Sequence, residues 1–344
     1  PAEQKEKIEK ERAEKIFPFE TEKVLEFSLA GNGDLIALKR NAPHSWELTS
    51  PLSASGDSVE AEAFLSEIEN LKKTRVVEEN PKDLSIYGLS TPFLKIHFKF
   101  ENEKEGTLLL GNENPMGGNL YIKRENYPAV MMTPASKSQF EKSVYNFRDK
   151  TLLNFSTGTI KRIQIISEKK NLELKKKGEV WKISGDIDAQ GDKDAIMNFL
   201  QSIQFSRVQE FVDENPDSLE TYGLNLPKLK LILESEKDKI HTLALGNTKE
   251  GKGYFGKIND AKNIVLVDTR LFDTLSQKTV EFLDKTLIAF EEKEILALSL
   301  RSENETIHLV RGINNNWDIQ SPIKTTADLS TLNSLLFDLK EAKI

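Results

Sequence analysis

Cysteine is absent from the 344 residues, which excludes disulfide staples, thiolate nucleophiles and Cys-ligated metal sites. Histidine occurs four times and tryptophan three, so imidazole chemistry and indole stacking each have few candidates. No stretch approaches the run of about 18 apolar residues that a spanning helix needs. An excess of positive charge is missing as well. The 48 Lys and Arg face 55 Asp and Glu, mixed along the chain, for a net charge of −7, which argues against a sequence-independent grip on nucleic acid phosphates. What remains is an ordinary globular composition, 38% hydrophobic and 30% charged, on a chain long enough for two or three domains.

The first residue is Pro1, which reads as a trimmed ectodomain with a membrane anchor removed. Glu3 before Lys7, Glu6 before Lys10 and Glu11 before Lys15 have the i,i+4 order of a solvated helix with almost no apolar face. A spacer or a frayed end fits it, running to the Phe17-Pro18-Phe19 stop.

Self-similarity sets the architecture. Phe64-Leu65-Ser66-Glu67-Ile68, Glu79-Asn80-Pro81, Tyr87-Gly88-Leu89 and Pro92 return 135 residues later as Phe199-Leu200-Gln201-Ser202-Ile203, Glu214-Asn215-Pro216, Tyr222-Gly223-Leu224 and Pro227. The same offset carries Trp46 to Trp181, Gly111 to Gly246 and Asp149-Lys150 to Asp284-Lys285. A third copy reaches Trp317 and stops at Ile344, short of the Asn-Pro turn. The organisation expected is a charged helical linker over 1–18, unit one over 19–155, unit two over 156–291 and a partial third unit over 292–344.

Within a unit the patterning predicts a hairpin, a Trp strand, one helix and then a meander. Leu25, Phe27 and Leu29 alternate with polar residues, and Gly31-Asn32-Gly33-Asp34 turns the chain into Leu35 to Arg40. Phe64, Leu65, Ile68 and Leu71 form a helical stripe behind Asp57, and Asp192 and Asp328 stand at the matching positions. Strands follow at 94–100, 107–110, 120–123 and 129–132, and a short helix over Ser138 to Tyr145 closes the unit. The class is α+β: an elongated tandem repeat of mainly antiparallel units, each with one main Asp-capped helix. Two pairings are open. Each meander can join its own hairpin or that of the next copy.

Chemistry-bearing candidates all have a structural reading beside the functional one. Asp57, Asp192 and Asp328 read as helix caps, with metal as the alternative. His44, His97, His241 and His308 do not recur between units, so a shared zinc site or base is not expected. Gly246 to Gly253 has the spacing of a phosphate loop but ends in Gly253 where Ser or Thr would hold magnesium, and reads as a β-turn. Tyr87-Gly88 and Tyr222-Gly223 read as a ring over a turn with glycine at positive φ, and Trp46, Trp181 and Trp317 as core anchors. No catalytic, cofactor or metal residue is nominated.

These motifs together resemble the bacterial family called domain of unknown function 4340. The carriers are Trp46, Asp57, Val77, Glu79, Asn80, Pro81, Tyr87, Gly88, Leu89, Pro92, Gly111, Arg148, Asp149, Lys150 and Phe155, repeated in copy two except that Leu283 replaces the arginine. The resemblance implies a single-pass protein anchored to the inner membrane with its folded part on the periplasmic side. It also implies genes beside gliding-motility-type ABC transporter subunits, and no established catalytic residue. The functional expectation is a non-enzymatic scaffold or accessory protein binding transporter subunits. An envelope glycan- or lipid-binding module is the alternative, and a hydrolase comes third.

Overall fold

The computed structural model describes residues 13–31, 33, 35–185, 187–313 and 316–343. The lead pairs Glu3–Lys7 and Glu6–Lys10, with Glu11, lie outside the described residues, as do Asn32 and Asp34 of the first hairpin turn. Ordered packing begins before the Phe-Pro-Phe stop: Ile16 is buried and its N–H donates to the Leu71 carbonyl at 2.9 Å, while Lys15 pairs with Glu69 at 2.9 Å. The boundary drawn at residue 18 therefore falls inside the first folded unit. Two compact units are present, one ending at Thr151 and taking in Arg207–Phe211, the other starting at Leu152 and holding everything else.

Copy one supplies β1 (Val24–Gly31), β2 (Ile36–Ala42), β3 (Ser45–Ser50) and β4 (Ala54–Ser55), then α1 (Ser58–Glu69) and β5 (Arg75–Glu78). Next come β6 (Leu94–Phe100), β7 (Glu105–Glu113), β8 (Leu120–Arg124) and β9 (Val130–Thr133), closed by α2 (Lys137–Phe140) and α3 (Val144–Phe147). The sheet order is β4-β3-β2-β1-β6-β7-β8-β9-β5. The hairpin half thus joins its own meander through β1 and β6, which settles the pairing the sequence left open. Helix α1 leaves one edge of the sheet and delivers β5 to the other, where it pairs with β9.

Copy two repeats this order. It comprises β10 (Ile160–Ser167), β11 (Lys170–Lys177), β12 (Val180–Ser184), β13 (Ala189–Gly191), α4 (Lys193–Gln204) and β14 (Glu210–Asp213), followed by β15 (Leu229–Ser235), β16 (Ile240–Lys249), β17 (Gly253–Ile258), β18 (Ile264–Val267) and α5 (Thr269–Leu275). Its sheet runs β13-β12-β11-β10-β15-β16-β17-β18-β14. Copy three contributes β19 (Ala297–Arg301), β20 (Thr306–Arg311), β21 (Trp317–Ser321), β22 (Thr325–Thr326) and α6 (Leu329–Glu341), and its four strands form a sheet of their own within the second unit.

Two local expectations are corrected. A bulge between Val24 and Glu26 turns Val24 into the core and leaves Leu25 half-buried, shifting the alternation by one residue at the start of β1. The closing helix of copy one is split in two because Ser136 and Ser143 each start a turn, their N–H groups donating to the side chains of Gln139 at 2.9 Å and Asn146 at 2.8 Å.

Apolar side chains on one face of each sheet and on its helix form the core. In unit one Phe27 lies 5.1 Å from Trp46, 5.8 Å from Phe64 and 5.7 Å from Phe147, ring centre to ring centre. Copy two places Ile163, Trp181, Phe199 and Phe282 in a matching core, with Phe199 against Phe282 at 5.1 Å. Copy three has a smaller cluster of Leu309, Trp317, Ala327, Leu332 and Leu336.

Candidate functional site

The Tyr-Gly motif is held by the strand that precedes it. Glu78 ends β5, and nine residues on, the Tyr87 hydroxyl donates to its Oε2 at 2.8 Å; in copy two Tyr222 donates to Asp213 Oδ2 at the same distance. The acceptor carboxylate, and then burial, hold each phenol above its ordinary pKa. Each ring meets an aromatic neighbour edge-on, Tyr121 at 5.0 Å and Phe255 at 5.1 Å. Gly88 and Gly223 have φ of +67° and +65°, and a Cβ on either would lie 2.5 or 2.6 Å from the side chain of Asn112 or Asn247. Gly111 and Gly246 let the carbonyls of Tyr87 and Tyr222 approach, where a Cβ would sit 2.2 and 2.1 Å away. Asn80 and Asn215 are exposed, while Pro81, Pro92, Pro216 and Pro227 are half-buried. This constellation is a turn lock with no free nucleophile.

The sequence reading passed over Glu78 and Asp213, which stand between the Val and Glu of each Val-x-Glu-Asn-Pro. Their signal was an acid recurring 135 residues apart at the variable position.

The Trp and Asp positions are likewise occupied by structural tasks. Trp46 donates from Nε1 to Glu62 at 2.9 Å beneath the Arg40 guanidinium, 4.4 Å from the ring, and Arg40 pairs with Glu62 at 2.5 Å. Arg311 stands over Trp317 at 5.5 Å, while Lys176 is the cross-strand partner of Trp181. Asp57 accepts from the Glu60 N–H, Asp192 from those of Asp194 and Ala195, and Asp328 from that of Thr331. Burial opposes ionisation of Asp57, but Lys150 at 2.8 Å and the helix N–H groups outweigh it and hold its pKa below the usual range. Arg148, replaced by Leu283 in copy two, lies 3.5 Å over the Phe211 ring inside unit one.

The histidines stay apart. His44 is exposed at φ +56°, His97 faces Thr107 at 3.2 Å, and His308 faces Ser299 at 2.8 Å. His241 is buried beside Phe155, its pKa held below the ordinary imidazole value by burial and then by Lys239. Lys123 is pushed down by burial and donates to the carbonyls of Arg124, Glu125 and Tyr127, clamping the β8–β9 turn; Lys257 donates to Ala261 at the corresponding turn. Residues Gly246 to Gly253 run along β16 and round a hairpin turn into β17, with no helix start behind them. Among the described residues no group of three His, Asp or Glu is placed to hold a metal ion, and no helix is long and apolar enough to cross a membrane.

Clefts that could take a ligand occur in both units. One in unit one, of about 550 Å³, is lined by Leu29, Ile36, Phe93, Leu94, Phe140 and Val144, with Lys142 and Tyr145 at its rim. One in unit two, of about 700 Å³, carries Asp192, Asp194, Asp284, Glu291 and Glu341 against Lys193 and Lys343.

The family model described as "Domain of unknown function (DUF4340)" matches residues 46–204 and again 181–344. The chain belongs to the DUF4340 family. Each DUF4340 match opens on a repeat tryptophan, Trp46 or Trp181, and takes in the whole helix of the following copy, α4 or α6. The family module is therefore out of phase with the sheets, which close within single copies. No curated protein and no solved structure matches the chain.

Proposed function

We propose that this chain is the folded, extracytoplasmic part of a membrane-anchored, non-enzymatic scaffold or accessory protein, working with an ABC-type transporter of the gliding-motility kind. The observation that supports the non-enzymatic reading most directly is the use made of the recurring polar residues. Tyr87 and Tyr222 are tied to Glu78 and Asp213, and Asp57, Asp192 and Asp328 to helix N–H groups. The features repeated from copy to copy thus build sheets and turns. Tandem repeats offer broad surfaces to proteins. The transporter and the anchor rest on what the family resemblance implies.

In-membrane crosslinking of the anchored protein, with mass spectrometry of the captured chains, tests this reading. Capture of transporter permease or ATPase-linked subunits, lost when the folded repeats are deleted, is the expected result. Capture of lipid or glycan alone would overturn it. The apolar cleft lined by Phe93, Phe140 and Val144 favours that second reading, an envelope lipid- or glycan-binding module.

A further inference from the structure

The two complete sheets share a strand order but differ in charge on the face away from the core. In copy one a single cross-strand row reads Glu47, Lys39, Glu26, Lys99 and Glu105 from β3 through β2, β1 and β6 to β7, every neighbour opposite in sign. Lys39 and Lys99 close on Glu26 at 3.8 and 3.9 Å. The matching row of copy two reads Lys182, Lys175, Arg162, Glu234 and Ile240 along β12, β11, β10, β15 and β16. Lysine stands in place of Glu47 and arginine in place of Glu26, so three cations lie directly opposite one another on adjacent strands. Copy three has Asp318, Val310 and Ala297 in this row, and the cationic version belongs to copy two alone.

Alternation places these side chains outside. Ile163, Leu174, Trp181 and Ile183 are buried, so Arg162, Lys175 and Lys182 point to the other face. Cross-strand neighbours on one face lie about 5 Å apart, and like charges there are destabilising. The fold neutralises only one of the three. Arg162 donates to Glu173 and, at 3.5 Å, to Glu234. Lys175 and Lys182 are exposed and have no carboxylate at ion-pair distance among the described residues. The same holds for Lys177, two residues along β11 on the same face, where exposed Val180 stands opposite it. On a chain of net charge −7 this is a local concentration of positive charge, and its counter-charge has to come from outside.

The repeat itself shows which anion fits. Copy one sets the carboxylates of Glu26 and Glu47 on either side of Lys39, and copy two gives Arg162 those of Glu173 and Glu234. We propose that the outer face of β10, β11 and β12 is a docking site for an acidic segment of a partner protein, whose Asp or Glu side chains pair with Lys175, Lys177 and Lys182. This rests on the accessory reading and deepens it by naming a surface that takes a partner.

The test titrates a fluorescein-labelled decapeptide of alternating Glu and Ser against the whole chain, with fluorescence anisotropy at low ionic strength as the readout. Lys175→Glu makes the row alternate in sign as it does in copy one. It is expected to weaken binding about tenfold, the size of two cross-strand charge contacts, and to raise the urea midpoint by removing the like-charge neighbours. Better folding with poorer binding is a pair of effects that a merely structural lysine does not give. Lys262→Glu makes the same charge change at an exposed lysine in the β17–β18 turn and is expected to leave the affinity unchanged. Failure of the peptide to bind overturns the proposal, as does equal weakening by the two variants or a midpoint lowered by Lys175→Glu. So does tighter, Lys175-dependent binding of phosphatidylglycerol vesicles or inorganic polyphosphate, since a membrane or a phosphate polyanion would then be the occupant. Crosslinking to transporter subunits can succeed where the peptide fails, so the two readings fail separately.

Discussion

The first sheet and the third are built from the same half-repeat, and among the described residues only the first is joined by a meander. Where β6 flanks β1, Phe27 and Leu29 are 2% exposed; β19 has β20 as its one neighbour among the described residues, and Leu298 and Leu300 are half-buried. The hairpin, the Trp strand and the capped helix are built alike in the two, and copy three keeps the Ala327 N–H to Trp317 carbonyl bond at 2.7 Å that Gly56 makes to Trp46 at 2.9 Å in copy one. What the meander adds is burial. Each apolar side chain it covers contributes roughly 1.5–3 kcal/mol, so the half-sheet is the less stable part of the chain.

The largest expected break comes from the tryptophans. Trp46→Ala removes a ring packed on Phe27 and strands the Arg40–Glu62 pair, and should cost about 3–5 kcal/mol in urea unfolding followed by circular dichroism. Trp317→Ala should cost less, because the face it packs on is already partly in water. Equal losses would contradict the difference between the two cores.

Next in size are the turn locks. Tyr87→Phe or Tyr222→Phe leaves a half-buried carboxylate without its donor and should cost about 1–3 kcal/mol, with Glu78→Gln recovering part of the loss in a double-mutant cycle.

Asp57→Ala should cost about 1 kcal/mol as a lost cap. Because the folded-state pKa of Asp57 lies below its unfolded value, its contribution is present above the unfolded carboxylate pKa and disappears as pH falls through the folded one. The gap between wild type and Asp57→Ala should therefore close on acidification, which melting curves at a series of pH values would check. His241 gives the smallest effect and separates the two complete copies. Its folded pKa lies below about 6.5, so the unfolded chain takes up the extra proton, and stability present above that pH is lost as pH falls below it. His241→Leu should flatten this part of the profile. Copy one has Gly106 at that position, with the Phe17 ring where a Cβ would be, and should show no such step.

Much of this was legible in the sequence because it was local or repeated. The 135-residue period, the α+β class, the Tyr-Gly turns and the meander strands follow from alternation, turn residues and self-similarity. What escaped depends on how segments meet when the chain folds. The acceptors of the tyrosine hydroxyls sit on a strand that α1 carries across the sheet, and the exchange of Phe17 with Gly106 for His241 involves segments that meet only on folding. The bulge at Val24 and the split after Phe140 are one-residue events, smaller than a periodic pattern can resolve. The choice between closing each sheet within a copy or across copies could not be made from sequence at all, since either preserves the same alternation.

Amide hydrogen exchange tests the central comparison most directly. In β1 and β10 the account predicts slow exchange at every interior amide, both sides being bonded, and in β19 slow and fast amides in alternation, the fast ones facing the open edge. Uniform protection along β19 in the monomeric chain would contradict it.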